Sequence, residues 1–292
     1  MDQAANLRRL VLETDAKKQK KTKTIAITSG KGGVGKTSVA VSLSIALAKG
    51  GSSVTLLDAD LGLANINVIL GIIPKYNLYH VIKGQKKLKD IVIEVPEGIK
   101  IIAGASGFHQ LANLDPKQRN EFISAVSELD SDDYMVVDTG AGVSQNVLAF
   151  VMASDEIIVV TTPEPTAITD AYGIIKSIAA QSPDKIIKII VNRVQSVAEG
   201  NRVAQRVINI AGQFLNIKVE NLGFIFDDLY VPKSVRNQKP FIVSYPKCKA
   251  AACVSIIADR ISNKSTGSAR GSGLASFFKN LFVARDDEED EG

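Results

Sequence analysis

The chain has 292 residues, 45% of them hydrophobic, which is ample for the core of one α/β domain with flexible ends. Its net charge of +4 conceals a segregation: six acidic residues, Asp286 to Glu291, stand near the end of the chain, and the rest carries +10, a basic body that suits nucleotides, anionic lipid or nucleic acid. No apolar run approaches the ~18 residues of a membrane span, no apolar segment follows a basic start, and the cysteines are only Cys248 and Cys253. A cytosolic chain with neither signal peptide nor transmembrane helix is expected.

In chain order, residues 2–14 read as a short amphipathic helix, with Leu7, Leu10 and Val11 on one face, Asp2 near its start and Arg8 and Arg9 near its middle. A lysine-rich linker follows, completing a segment 1–23 that is expected to order only on a partner. From there buried-strand patterns at 24–29, 53–58, 99–103, 134–138, 156–161, 186–191 and 222–226 alternate with helical ones. The helical stretches are 36–49, 62–70, 116–129, 144–153, 167–181, 198–215 and 248–262. This alternation predicts an α/β domain over 24–262, with a doubly wound, mostly parallel sheet, helices on both faces and ligands at the carboxyl ends of the strands.

The first strand runs into Gly30-Lys31-Gly32-Gly33-Val34-Gly35-Lys36-Thr37, a full G-x-x-x-x-G-K-[ST] pattern, and Ser38 continues into the first helix. Strand, glycine loop and helix start in that order let backbone N–H groups and a helix N-terminus surround a phosphate chain. Residues Gly30 to Ser38 are therefore the predicted nucleotide cradle. Lys36 is placed on the β- and γ-phosphates of ATP and the Thr37 hydroxyl on Mg²⁺. The second strand ends in Asp58-Ala59-Asp60, whose two carboxylates point to opposite faces if extended. After another apolar strand comes Asp138-Thr139-Gly140-Ala141-Gly142, where a carboxylate can hold Mg²⁺ through water and the glycines let the backbone approach and leave the γ-phosphate. His80 and His109 sit in no ligand pattern, and Cys248 and Cys253, spaced C-x₄-C within a helical run, are expected to be ordinary thiols.

Past the domain, 263–273 has the composition of a flexible linker. In 274–285 the bulky residues Leu274, Phe277, Phe278, Leu281 and Phe282 repeat at helical spacing. Such a helix is roughly half the length needed to cross a ~30 Å hydrocarbon core, so it is expected to lie on a membrane surface; docking on the protein itself or on a partner is the other reading of the same stripe. The acidic tail 286–292 argues against simple anionic-lipid binding.

The Lys-Gly-Gly-Val-Gly-Lys-Thr loop, the Asp-x-Asp after the second strand and the Asp-Thr-Gly-Ala-Gly turn together resemble the MinD/ParA group of P-loop ATPases with a deviant Walker A motif. The resemblance covers Thr24 to about Ser262 and implies a homodimer formed with ATP. In it Lys31 reaches the partner's nucleotide, Asp60 positions the attacking water, and Asn192, in Val191-Asn192-Arg193-Val194, binds adenine. Lys31, Lys36 and Asp60 are the expected catalytic residues. Asp2-Gln3-Ala4 followed by Leu7-Arg8 resembles the N-terminal motif of the flagellar branch, FlhG (FleN or YlxH). That motif implies stimulation of the signal-recognition-type GTPase FlhF, contacts with flagellar switch or transcription components, and ATP-dependent attachment to the inner face of the cytoplasmic membrane. The alternative is a ParA-like partitioning ATPase acting on nonspecific DNA or another cargo. The basic body favours it and the apolar stripe opposes it, so nucleic acid is not the expected partner.

Overall fold

The computed structural model describes residues 21–60, 65–104, 116–127, 132–265 and 271–289. Eight strands form one sheet: β1 (Lys23–Ser29), β2 (Val54–Ala59), β3 (Val92–Glu94), β4 (Lys100–Ala103), β5 (Tyr134–Ala141), β6 (Glu156–Thr161), β7 (Ile187–Val194) and β8 (Val219–Phe226). Their order is β3-β4-β2-β5-β1-β6-β7-β8, and every pairing is parallel except β3 with β4. Strands β2 and β6 are buried at every position, which is why they read as continuous apolar runs and not as alternating ones. Among the described residues the strand beyond the expected seven is β3, two half-buried residues and an exposed one at the sheet edge, too short to show a period.

The helices are α1 (Lys36–Lys49), α2 (Asn65–Leu70), α3 (Leu78–Ile82), α4 (Pro116–Ser127), α5 (Gln145–Ala153), α6 (Pro165–Gln181), α7 (Val197–Leu215), α8 (Tyr230–Arg236), α9 (Phe241–Ser244), α10 (Lys249–Ser265) and α11 (Leu274–Glu289). Helix α1 is buried on most of its surface, because one side meets the sheet and the other meets α10. Helices α5, α6 and α7 cover the opposite face of β1, β6 and β7. At Gly223 of β8, a Cβ would come within 2.9 Å of Ile257 on α10, so the close approach of that helix requires glycine.

Of the readings that the C-terminal stripe allows, the structure contains the docked one. Leu274, Phe277, Phe278, Leu281 and Phe282 are at most 5% exposed and share a core with Phe122 of α4 and Phe150 of α5. The rings of Phe122 and Phe278 meet edge-on at 5.0 Å, and those of Phe150 and Phe277 lie 6.4 Å apart. Burial of five large apolar side chains, at about 1.5–3 kcal/mol each before ordering costs, accounts for the docking. The segment leading into α11 is also fixed: Ser272 N–H donates to the Asp155 carboxylate at 3.0 Å, which also accepts from Thr24 N–H at 2.8 Å. A Cβ on Gly271 would lie 2.3 Å from the Thr22 carbonyl oxygen, so glycine is needed where the segment crosses the start of β1. The helix continues to Glu289, beyond the expected end at 285.

No described helix is long and apolar enough to cross a membrane. The N-terminal residues Asp2, Gln3, Ala4, Leu7 and Arg8 lie outside the described residues, as do 61–64, His109, 266–270 and the last three positions. His80 serves as a local cap: its Nδ1 accepts from Asn77 N–H at 3.2 Å at the start of α3.

Candidate functional site

Strand β1 lies between β5 and β6, at the point where connections leave in opposite directions, so its carboxyl end opens into a crevice. The glycine loop occupies that crevice. Gly33 and Gly35 take φ values of 80° and 89°, left-handed conformations that other residues resist. Two further approaches need the missing side chains: a Cβ on Gly30 would sit 1.9 Å from the Asp170 carbonyl oxygen, and one on Gly35 would sit 2.4 Å from Asn192 Nδ2. Gly35 is also the residue at which α1 begins, so the loop amides and the helix N-terminus face one cavity. That cavity, ≈ 320 Å³, is lined by Gly33, Lys36, Thr37, Ser38, Asp60 and Asn65 among others.

Beneath it lies a buried charge cluster. Lys36 Nζ donates to Asp138 Oδ1 at 2.8 Å, and Asp138 is fully buried. Parallel pairing of β2 with β5 sets Asp58 directly opposite Asp138. Burial, then the Asp138 charge, pushes the Asp58 carboxyl up to about 7. Burial also raises Asp138, against the opposing pull of the Lys36 ammonium and, after it, of the Thr37 hydroxyl. Asp58 Oδ2 and Asp138 Oδ2 are buried without a hydrogen-bond partner. A buried carboxylate oxygen of that kind beside the Thr37 hydroxyl fits a hydrated Mg²⁺, whose charge would offset this crowding of anions. Asp60 stands higher, half-exposed at the cavity wall, and its N–H donates to Asp58 Oδ1 at 3.2 Å.

A second cavity, ≈ 680 Å³, adjoins the first through Gly35 and Ser38. Asn192 and Arg193 from β7, Pro163 from the turn after β6, Phe226 from the end of β8, Asp228 from the turn after it and Pro232 from α8 line it. Its size and mixed walls suit a nucleoside. Asn192 stands at its edge with part of its amide engaged: Nδ2 donates to the Val34 carbonyl at 2.8 Å and Oδ1 accepts from Arg193 N–H at 2.9 Å. The walls from α8 were not read in the sequence, although Phe226-Asp227-Asp228 follows a strand carboxyl end, the position that marked Asp58 and Asp138. Lys31 reaches the mouth of the first cavity, but its ammonium is bound within its own chain, to Glu164 at 3.2 Å and to Thr166 Oγ1 at 2.7 Å. Cys248 and Cys253 are buried in the core between α1 and α10, and burial raises both thiols.

A doubly wound sheet with a glycine loop, a paired lysine and carboxylate and two strand-end aspartates defines a P-loop nucleotide hydrolase. Residues 25–241 match the CobQ/CobB/MinD/ParA nucleotide binding domain, and the chain belongs to that family and is an ATPase. It is 38% identical over 212 residues to the antiactivator FleN of Pseudomonas aeruginosa, covering 72% of this chain and 76% of the relative. It is likewise 38% identical over 238 residues to the flagellum site-determining protein YlxH of Helicobacter pylori, covering 80% of each. Among solved structures, the septum site-determining protein MinD complexed with Mg-ADP from Pyrococcus horikoshii superposes with a TM-score of 0.68 at 27% identity, covering 84% of this chain and 98% of that one.

Proposed function

We propose that this ATPase is a dimerising, membrane-cycling switch that regulates flagellar number and placement. Similarity to FleN and YlxH over most of the chain supports the flagellar role. The observation that carries the switch is Lys31, a loop lysine whose ammonium engages Glu164 and Thr166 at the mouth of the cavity and does not turn down towards Asp138 as Lys36 does. A cation in that place can transfer to the nucleotide of a second copy.

In hydrolysis the loop amides and Lys36 hold the β- and γ-phosphates, Thr37 and Asp138 hold the cation, and Asp60 orients water towards the γ-phosphorus. Bound Mg²⁺ supplies neutralisation of phosphate charge. Asn192 fixes the loop and lends its remaining N–H to the base. Outputs lie at the chain ends. Asp2, Gln3, Ala4, Leu7 and Arg8 engage a signal-recognition-type GTPase of the FlhF kind, flagellar switch or transcription components are further partners, and the α11 stripe meets the inner face of the cytoplasmic membrane. Because that stripe is docked, it must leave α4 and α5 before it can meet lipid.

Light scattering on size-exclusion fractions tests the dimer. The chain with ATP and Mg²⁺ is expected to elute as a dimer and with ADP as a monomer, and Lys31→Ala to remain monomeric in both. A Lys31→Ala dimer that forms as readily as the parent would refute the role of that residue.

A further inference from the structure

The segment from Gly71 to Lys89, which bridges α2 and the sheet edge, has no role in the site described above. It carries Lys75, Lys83, Lys86, Lys87 and Lys89 and no acidic residue between 75 and 89. The nearest carboxylate in sequence, Asp90, turns back to accept from the Lys87 N–H at 3.0 Å. Four of these lysines are exposed, and Lys86 lies 4.2 Å above the Tyr76 ring, with Lys75 5.6 Å from the same ring and Lys83 5.9 Å from that of Tyr79. Tyr76 and Tyr79 each set an edge against His80, so the rings are held in place and the cations gather around them. At the same end, Ile73 projects with 96% of its surface exposed, the most exposed large apolar side chain among the described residues.

The inner side of this segment joins the core on which α11 packs. Leu78, Leu88 and Ile91 belong to the same buried cluster as Leu274, Phe277 and Phe282, and Tyr76, Val81 and Ile82 pack against it. Helix α11 itself contributes only Lys279 and Arg285 as basic residues, and its last turn holds four of the six acidic residues of the tail. A projecting isoleucine, two half-buried tyrosines and a run of lysines with no acidic residue among them are what a protein can present to an anionic bilayer.

We propose that residues 73–89 are a second membrane contact, an anionic-lipid surface that supplies the positive charge α11 lacks. This rests on the membrane reading of α11. One helix brings apolar area and the neighbouring surface brings charge and a shallow anchor, so the two act together on one lipid face.

The test uses the full chain with ATP and Mg²⁺, the quadruple variant Lys75→Gln, Lys83→Gln, Lys87→Gln, Lys89→Gln, and the single variant Ile73→Ser. Each is co-sedimented with phosphatidylglycerol–phosphatidylcholine vesicles and with pure phosphatidylcholine vesicles. The quadruple variant should bind the anionic vesicles at least ~10-fold more weakly, with its ATP-dependent dimer and its neutral-vesicle binding unchanged. Ile73→Ser should weaken binding to both. Quadruple-variant binding equal to the parent's on anionic vesicles overturns the proposal while leaving the membrane reading intact. Failure of the parent to bind either vesicle overturns both. Each protein is also passed over immobilised duplex DNA, and DNA retention by the parent that the quadruple variant loses, with its vesicle binding unchanged, shows that the surface serves nucleic acid and also overturns the proposal.

Discussion

Asn192 commits its amide to the glycine loop, donating to the Val34 carbonyl and accepting from its neighbour's N–H. It therefore joins β7 to the glycine loop as well as standing at the edge of the second cavity. Asn192→Ala leaves a buried carbonyl unpaired, at about 1–3 kcal/mol, and loosens the loop. Isothermal titration is expected to show ATP and ADP affinity reduced together by roughly 10-fold. Unchanged affinity for both would show that the bond has no bearing on the site. At this scale the motif residues were legible, because a glycine loop, a following lysine and a strand-end aspartate are dictated by local backbone geometry. The partners of Asn192 and Lys31 were not, since Val34 stands 158 residues from Asn192 and Glu164 stands 133 from Lys31. Asp58 was legible as a carboxylate; its place opposite Asp138 depends on which strands are neighbours.

Helix α11 shows how far a periodic pattern carries. The spacing of Leu274, Phe277, Phe278, Leu281 and Phe282 specifies a helix with one apolar face, and the same face would serve a bilayer, a partner or the domain's own surface. Only assembly of α4 and α5 creates the groove lined by Phe122 and Phe150. Docking predicts that α11 supports the fold. Phe277, fully buried, should cost about 3–5 kcal/mol when replaced by alanine, and thermal unfolding should fall by several degrees. An unchanged melting temperature would mean that the helix is an appendage in solution. Short elements escaped the sequence for a related reason: β3, α3, α8 and α9 are each held by neighbours, and none is long enough to display a period of its own.

In the whole molecule the nucleotide site and the segment that leads into α11 lie at opposite ends of β1, and the sheet joins them. The loop follows the carboxyl end of β1, while Thr22 and Thr24 at its amino end meet the segment that leads into α11. Helix α5 begins three residues beyond Gly142 of the Asp138 turn and packs along α11, so movement of that turn has a direct route to the docked helix. The most direct test of an ATP-gated membrane switch is co-sedimentation of the Asp60→Ala chain, which is expected to hold ATP without hydrolysing it, with phosphatidylglycerol-containing vesicles. With ATP and Mg²⁺ the protein should pellet with the vesicles, and with ADP it should stay in the supernatant. Equal sedimentation with both nucleotides, or none with ATP, would contradict the account.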